Sequence, residues 1–183
     1  MPTNESLCVA FCMGRGSCPT QQDAIWINDK VFQQPNHASS EFRLEADTLF
    51  IVADGVAVSP SAARASKLAV RALAESLQAH ADWSFDGMIA ARHVRAAQQR
   101  MCEALEKRML DYGASTTIVA VQIRGNELAM VNTGDSRAYL LRRDGTIQML
   151  SRDHTEKQKL LDEGTATEGT DYASVYDSLS DPD

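Results

Sequence analysis

The sequence predicts an α+β domain, with strands grouped with strands and helices with helices instead of alternating one by one. Three observations carry this. β-tolerant runs crowd the chain up to Ala53, two long segments with helical apolar spacing follow between Ser59 and Leu110, and from Ser115 the apolar period falls to two.

Leu7 to Met13 is a short apolar run, and Ala24-Ile25-Trp26-Ile27-Asn28 followed by Asp29-Lys30 reads as a strand entering a turn. The two look like the outer pieces of a hairpin. Gly14, Gly16 and Pro19 punctuate the loop between them, and Gln34-Pro35-Asn36-His37 marks a second loop before the apolar strand Thr48 to Ala53. After Asp54-Gly55, Ser59 suits an N-cap and Pro60 the first helical position. Ala62, Ala65, Leu68, Ala69, Leu73 and Leu77 then make a small-residue apolar face suited to close packing on a sheet, with Arg64, Lys67 and Arg71 turned away. A second helix is expected from about Ser84 to Leu110, its stripe of Met88, Ile89, Val94, Met101, Leu105 and Met109 facing the core.

From Ser115 to Ile123 both registers are rich in β-branched residues, as in a strand buried on much of both faces. Arg124-Gly125-Asn126 turns the chain into Glu127 to Asn132, Ser136 to Arg142 gives a third strand, and Asp144-Gly145 turns into Thr146 to Leu150, an expected antiparallel meander. A short helical pattern runs from Asp153-His154-Thr155 to about Glu163, and 164–183 reads as an irregular tail. With 183 residues, 44% of them apolar, and no internal repeat, one domain over 1–183 is the economical reading.

A net charge of −7 argues against nucleic acid and anionic lipid as partners. No apolar run approaches the roughly 20 residues of a membrane span, and the polar start lacks a basic signal-peptide head, so a cytoplasmic chain is expected. Cys8, Cys12, Cys18 and Cys102 form no Cys-x-x-Cys and are expected to be buried or inert thiols.

Three aspartates stand at strand ends or tight turns: Asp23 before Ala24, Asp54 after Ala53, and Asp135 between Gly134 and Ser136. Oxygen ligands converging from separate segments are what a hard divalent cation needs. Asp54-Gly55 is the most informative pair, since a Gly lets a backbone carbonyl approach a cation. The sequence offers no Cys-x5-Arg phosphate loop and no convincing Ser or Cys beside a His, so no protein nucleophile stands out. His37 and His154 read as surface or structural histidines.

The order Gln21-Gln22-Asp23-Ala24, Val52-Ala53-Asp54-Gly55-Val56 with Ala65-Ser66, Gly113-Ala114-Ser115-Thr116-Thr117, Val131-Asn132-Thr133-Gly134-Asp135-Ser136-Arg137, and Ser151-Arg152-Asp153-His154-Thr155 resembles the metal-dependent protein serine/threonine phosphatases of the PPM, type 2C class, in a bacterial-like form. The resemblance spans 7–163, and Gly-Asp-Ser-Arg is its most specific block. It implies a four-layer α-β-β-α sandwich of two antiparallel sheets flanked by helices, and two Mg2+ or Mn2+ ions, with Asp135 helping to hold a third. Asp54 would bridge the metals, the Gly55 carbonyl would ligate one, and Asp23 would hold metal-bound water. The implied reaction is hydrolysis of phosphoserine and phosphothreonine in proteins phosphorylated by a Ser/Thr kinase, by a monomeric enzyme.

The sequence also departs from that family. Cys18 stands where an Arg usually grips the phosphate, so Arg15, in the same Gly-rich loop, becomes the candidate for that role. Gln22 replaces the commoner Glu, and Val56-Ala57-Val58 stands where many relatives have Gly-Gly. The Asp-Gly and Asp-Asn motifs that supply further metal carboxylates do not follow Thr155, which suggests a domain incomplete at its C-terminus, with 164–183 the start of a truncated remainder. The alternative reading is a catalytically impaired phosphatase-like domain that binds a phosphoprotein or regulatory partner.

Overall fold

A computed structural model of the chain describes residues 6–39, 41–45, 47–79, 87–166, 174–175 and 177–180. In chain order the elements are β1 (Ser6–Val9), β2 (Cys12–Met13), β3 (Ala24–Ile27), β4 (Lys30–Phe32), β5 (His37–Ala38), β6 (Phe42–Glu45), β7 (Thr48–Ala53), α1 (Ala62–Gln78), α2 (Gly87–Glu106), β8 (Ser115–Thr116), β9 (Ile118–Arg124), β10 (Glu127–Thr133), β11 (Tyr139–Leu141), β12 (Ile147–Met149), α3 (Glu156–Asp162) and β13 (Leu179–Ser180). The expected α+β grouping is present.

The frame is an antiparallel sheet in the order β10-β9-β7-β3-β4. Side chains alternate between its faces as a period of two demands. Ala24, Trp26, Leu49, Ile51, Ala53, Ile118 and Ala120 point to one face and pack with α1 and α2 through Ala65, Ala69, Leu73, Ala97 and Met101. Ala65, Ala69, Leu73 and Met101 are completely buried there, because alanines on α1 let the helix backbone approach the sheet closely. Arg64, Lys67 and Arg71 lie exposed on the outer side of α1, as their spacing predicted.

Ile25 and Ile27 point to the opposite face and cluster with Met13, backed by Val9, Phe11, Phe32, Phe42, Leu44 and Phe50. The strands contributing to this layer form the two-stranded ladders β1-β6 and β2-β5. Two further two-stranded ladders, β11-β12 and β13-β8, are formed among the described residues.

Several local expectations are corrected. β1 pairs with β6 and β3 with β4 and β7, so Leu7–Met13 and Ala24–Ile27 are not hairpin partners. Ser59 does not cap α1: the helix begins after Ser61, and the Ser59 hydroxyl instead donates to Val56 O at 2.7 Å to close the preceding turn. Arg108 takes a left-handed conformation, φ 56°, which ends the helical region and turns Met109 out to 60% exposure instead of into the core. The strand expected over Ser136–Arg142 is limited to β11, which leaves the β9-β10 hairpin and pairs with β12. Cys8 and Cys12 are exposed, Cys18 and Cys102 partly so, and all four are free thiols. The start of the second helix, Ser84 to Asp86, lies outside the described residues. Within the segment read as an irregular tail, β13 pairs with β8 and Leu179 is 2% exposed.

Candidate metal centre

Antiparallel order decides what meets at each end of the sheet. β3 starts where β7 stops (Ala24 opposite Ala53), β7 stops beside the start of β9 (Val52 opposite Val119), and β10 stops beside it on the other flank (Thr133 opposite Ile118). The residues just outside those positions are Asp23, Asp54, Thr117 and Gly134-Asp135. Segments distant in sequence thus deliver three carboxylates to one end of the sheet.

The charges register this convergence. Asp54 has its pKa raised from 3.8 to about 6, first by partial burial of its carboxyl, then by a hydrogen bond with Asp23, and then by the negative charges of Asp23 and Asp135. Asp135 acts on Asp54 through its charge alone. Among the described residues no Lys, Arg or His forms an ion pair with any of the three.

The corner is held from both sides. Thr117 N–H donates to Asp54 O at 2.9 Å, Asp54 N–H to Thr117 Oγ1 at 3.2 Å, and the Thr116 hydroxyl to Asp54 O at 2.9 Å. On the helix side, the Ser66 hydroxyl on α1 donates to Gln22 O at 2.5 Å, and Gly55 N–H reaches the same carbonyl at 3.3 Å. A Cβ on Gly55 would lie 2.5 Å from Ala62 O and 2.7 Å from Gln22 O, so glycine is required by the closeness of the backbones. Gln21 Oε1 accepts from Asp23 N–H at 3.1 Å and fixes the third strand end.

The Gly-Asp-Ser-Arg block is locked onto this corner. Gly134 has φ 96°, and a Cβ there would sit 2.6 Å from Thr117 Cβ. The Ser136 and Thr117 hydroxyls are 2.6 Å apart. Arg137 forks onto Asp153, with Nε 2.8 Å from Oδ1 and 3.1 Å from Oδ2. Asp153 is 7% exposed, and the guanidinium holds its carboxyl below the usual carboxylate range while its own pKa rises. His154 serves structure: its N–H donates to Gly134 O at 3.0 Å, and its Nδ1 accepts from Gly134 N–H at 3.3 Å and lies 3.2 Å from Asp177. His37 stacks on Phe32 in the opposite layer.

Of the residues singled out from sequence, Asp23, Asp54, Gly55 and Asp135 share this end of the sheet. Arg15 is exposed in a turn where Cys18 N–H donates to Arg15 O at 3.1 Å and its guanidinium donates to Cys18 O. The supporting roles of Thr117, Ser66 and the Arg137–Asp153 pair were missed, although each lies in a recognised block, because their partners are distant in sequence or chosen by tertiary contact.

Oxygen-only donors with excess negative charge fit a hard divalent cation, which would favour the ionised Asp54 that burial and the neighbouring carboxylates disfavour. Asp54 and Asp23, at the facing ends of paired strands, are the core of that donor set. Among the described residues no three His, Cys, Asp or Glu side chains already stand close enough to cage an ion.

Fold and site together define an antiparallel α+β domain with a carboxylate corner at one end of its main sheet. The family model described as protein phosphatase 2C matches residues 31–173, and the chain belongs to that family. Over 119 residues it is 34% identical to the serine/threonine protein phosphatase PstP of Mycobacterium tuberculosis, a match covering 65% of this chain and 23% of PstP. Over 124 residues it is 28% identical to the serine/threonine phosphatase stp of Listeria innocua, covering 63% of this chain and 47% of that protein. The chain therefore spans less than half the length of these curated relatives. The crystal structure of the PstP catalytic domain in complex with two manganese ions superposes with a TM-score of 0.67 at 26% identity, covering 96% of this chain and 67% of that one. The structure of the S. agalactiae serine/threonine phosphatase gives a TM-score of 0.70 at 21% identity over 98% of this chain and 71% of its own, a likeness of fold alone. No helix among the described residues is long and apolar enough to cross a membrane.

Proposed function

We infer that this chain hydrolyses phosphoserine and phosphothreonine in phosphoproteins, using two Mg2+ or Mn2+ ions with a third near Asp135. The observation that carries the reading is the strand register that brings Asp23, Asp54 and Asp135 to one end of the sheet, where burial and the neighbouring carboxylates raise the Asp54 pKa. Family membership and the two manganese ions of the PstP structure support it. Bound divalent ions would supply an acidified water and neutralise phosphoryl oxygens. Asp54 and the Gly55 carbonyl would hold the ions, and Asp23 would orient the water that they acidify. Thr116, Thr117 and Ser66 keep the corner from moving as charge accumulates. Arg15 is the candidate grip for the substrate phosphate, which requires its guanidinium to leave Cys18 O. The setting that goes with this reading is a monomeric enzyme in the cytoplasm, acting on the products of Ser/Thr kinases.

The test is hydrolysis of p-nitrophenyl phosphate and a phosphothreonine peptide with EDTA, then with Mn2+ titrated in, folding being followed by circular dichroism. Mn2+-dependent turnover abolished by Asp54→Ala supports the assignment. A folded chain without turnover sinks it and favours a second reading, a phosphoprotein-binding domain. That reading draws on the absence of a ready-made three-ligand cage among the described residues. Phosphopeptide binding that survives EDTA and Asp54→Ala would establish it.

A further inference from the structure

On the outer side of the helix layer, α1 and α2 leave a groove that the site does not use. Two adjoining recesses, about 250 and about 190 Å³, share Leu68, Arg71, Ala104 and Met109 and so form one continuous channel. Its floor is apolar. Ala72, Ala104 and Leu110 are nearly buried, whereas Met109 is 60% exposed, turned outward by the left-handed Arg108. A flexible, polarisable Met on an open floor adapts to different apolar side chains. The Arg64 guanidinium holds that floor in place by donating to Met109 O at 3.0 Å.

The walls are cationic, on a chain with net charge −7. Arg64, Lys67, Arg71, Arg100 and Lys107 line the channel, against Glu75 and Glu103. Both of those glutamates already face Arg100, at 3.4 and 3.5 Å, and Arg64 is matched by Asp111 at 2.8 Å. Lys67, Arg71 and Lys107 form no ion pair among the described residues. The cations of the walls outnumber the carboxylates beside them, and a cationic wall around an apolar floor is complementary to a ligand that is acidic and also carries apolar anchors. One end of the channel, at Arg64, lies on the first turn of α1, whose Ala62 packs on the Gly55 corner.

We propose that the α1–α2 groove is a docking site for an acidic amphipathic segment of a partner protein. Apolar side chains of that segment rest on Leu68, Ala104 and Met109, and its carboxylates meet Lys67, Arg71 and Lys107. The site is separate from the carboxylate corner, so binding here does not depend on the chain being an active phosphatase.

The probe is a fluorescein-labelled synthetic peptide of Leu and Glu with Leu at helical spacing, titrated with the full chain and followed by anisotropy. Saturable binding is expected, weakened by added salt because exposed charges are screened. The double reversal Lys67→Glu/Arg71→Glu is expected to weaken it about tenfold or more. Met109→Ser should weaken it about threefold, and a Glu-only peptide should bind markedly less well. Lys67→Gln/Arg71→Gln is a milder pair in case reversal perturbs α1, and melting curves check each variant. Absence of saturable binding to the folded chain overturns the proposal, as does equal affinity for a Leu and Lys peptide or binding indifferent to the substitutions. Tighter binding of phosphatidylserine vesicles or single-stranded RNA through Lys67 and Arg71 also overturns it, by making the partner a membrane or a nucleic acid.

Discussion

The helix-covered face of the main sheet and the carboxylate end of the same sheet are built on opposite principles. On the face, Ile51, Leu73, Met101 and Ile118 are fully excluded from water, and stability comes from apolar area and close packing. At the end, like charges are held together by hydrogen bonds to Asp54, Gln22 and Thr117, at a cost that shows in the raised Asp54 pKa. One region stabilises the fold, and the other draws on that stability to hold a cluster that would otherwise separate.

The contrast is broken most strongly from the face. Leu73→Ala, at a site with no exposure, is expected to cost about 3–5 kcal/mol, read from urea unfolding. Phe50→Ala, half-covered in the opposite layer, should cost clearly less. Equal losses would show that the two layers contribute alike.

At the carboxylate end, Gly134→Ala should cost about 2–3 kcal/mol in the same assay, since the new Cβ meets Thr117 in a left-handed backbone. Its effect on Mn2+ binding should exceed that of Leu73→Ala, because Thr117 grips the Asp54 backbone.

Arg137→Ala leaves Asp153 buried without its partner and should cost about 1–2 kcal/mol, reduced by the solvent around the half-exposed guanidinium. Asp153 is held below its unfolded pKa, so its contribution is fully present above about 3.8 and is lost as pH falls through the lowered value. The variant should therefore show a flatter acid limb in stability against pH, measured by thermal melts.

The smallest effect has the opposite sign. Asp54 is raised above its unfolded pKa, so its ionisation weakens the metal-free fold as pH climbs from 3.8 towards about 6, a penalty then present at neutral pH. Asp54→Asn should stabilise the metal-free chain at pH 7 by about 1 kcal/mol, allowing for solvent screening of an exposed carboxyl. Mn2+ is expected to raise the Tm of the native chain, and the same change should abolish that rise. A variant that is no more stable, or that still responds to Mn2+, would show that repulsion at Asp54 is not what the cation relieves.

Much of this architecture was legible because it is written in local periodicity. The strand Thr48–Ala53 has the bounds its apolar run suggested, and the exposed Arg64, Lys67 and Arg71 follow from a spacing of three to four. Thr155 caps α3 by accepting from Gln158 N–H at 3.2 Å, close to where the start of a helix was read. Asp23, Asp54 and Asp135 were also visible, as acids next to strand ends in a recognisable order.

What the sequence by itself determined is the principal strands and helices, among them Thr48–Ala53, the two long helices and the strand from Ile118, and which acids flank the strands, since each follows from neighbours a few positions away. The hairpin of β11 and β12 across Asp144-Gly145 was legible, but other strand partners were decided only in the tertiary structure: β1 chooses β6, and β10 pairs with β9 and not with β11, because these pairings depend on how distant segments assemble. The same holds for Thr117 as the clasp of the Asp54 corner, for Asp153 as the partner of Arg137, and for Met109 on the surface instead of in the core. Periodicity specifies a face, but only the assembled sheet and helices specify what that face meets.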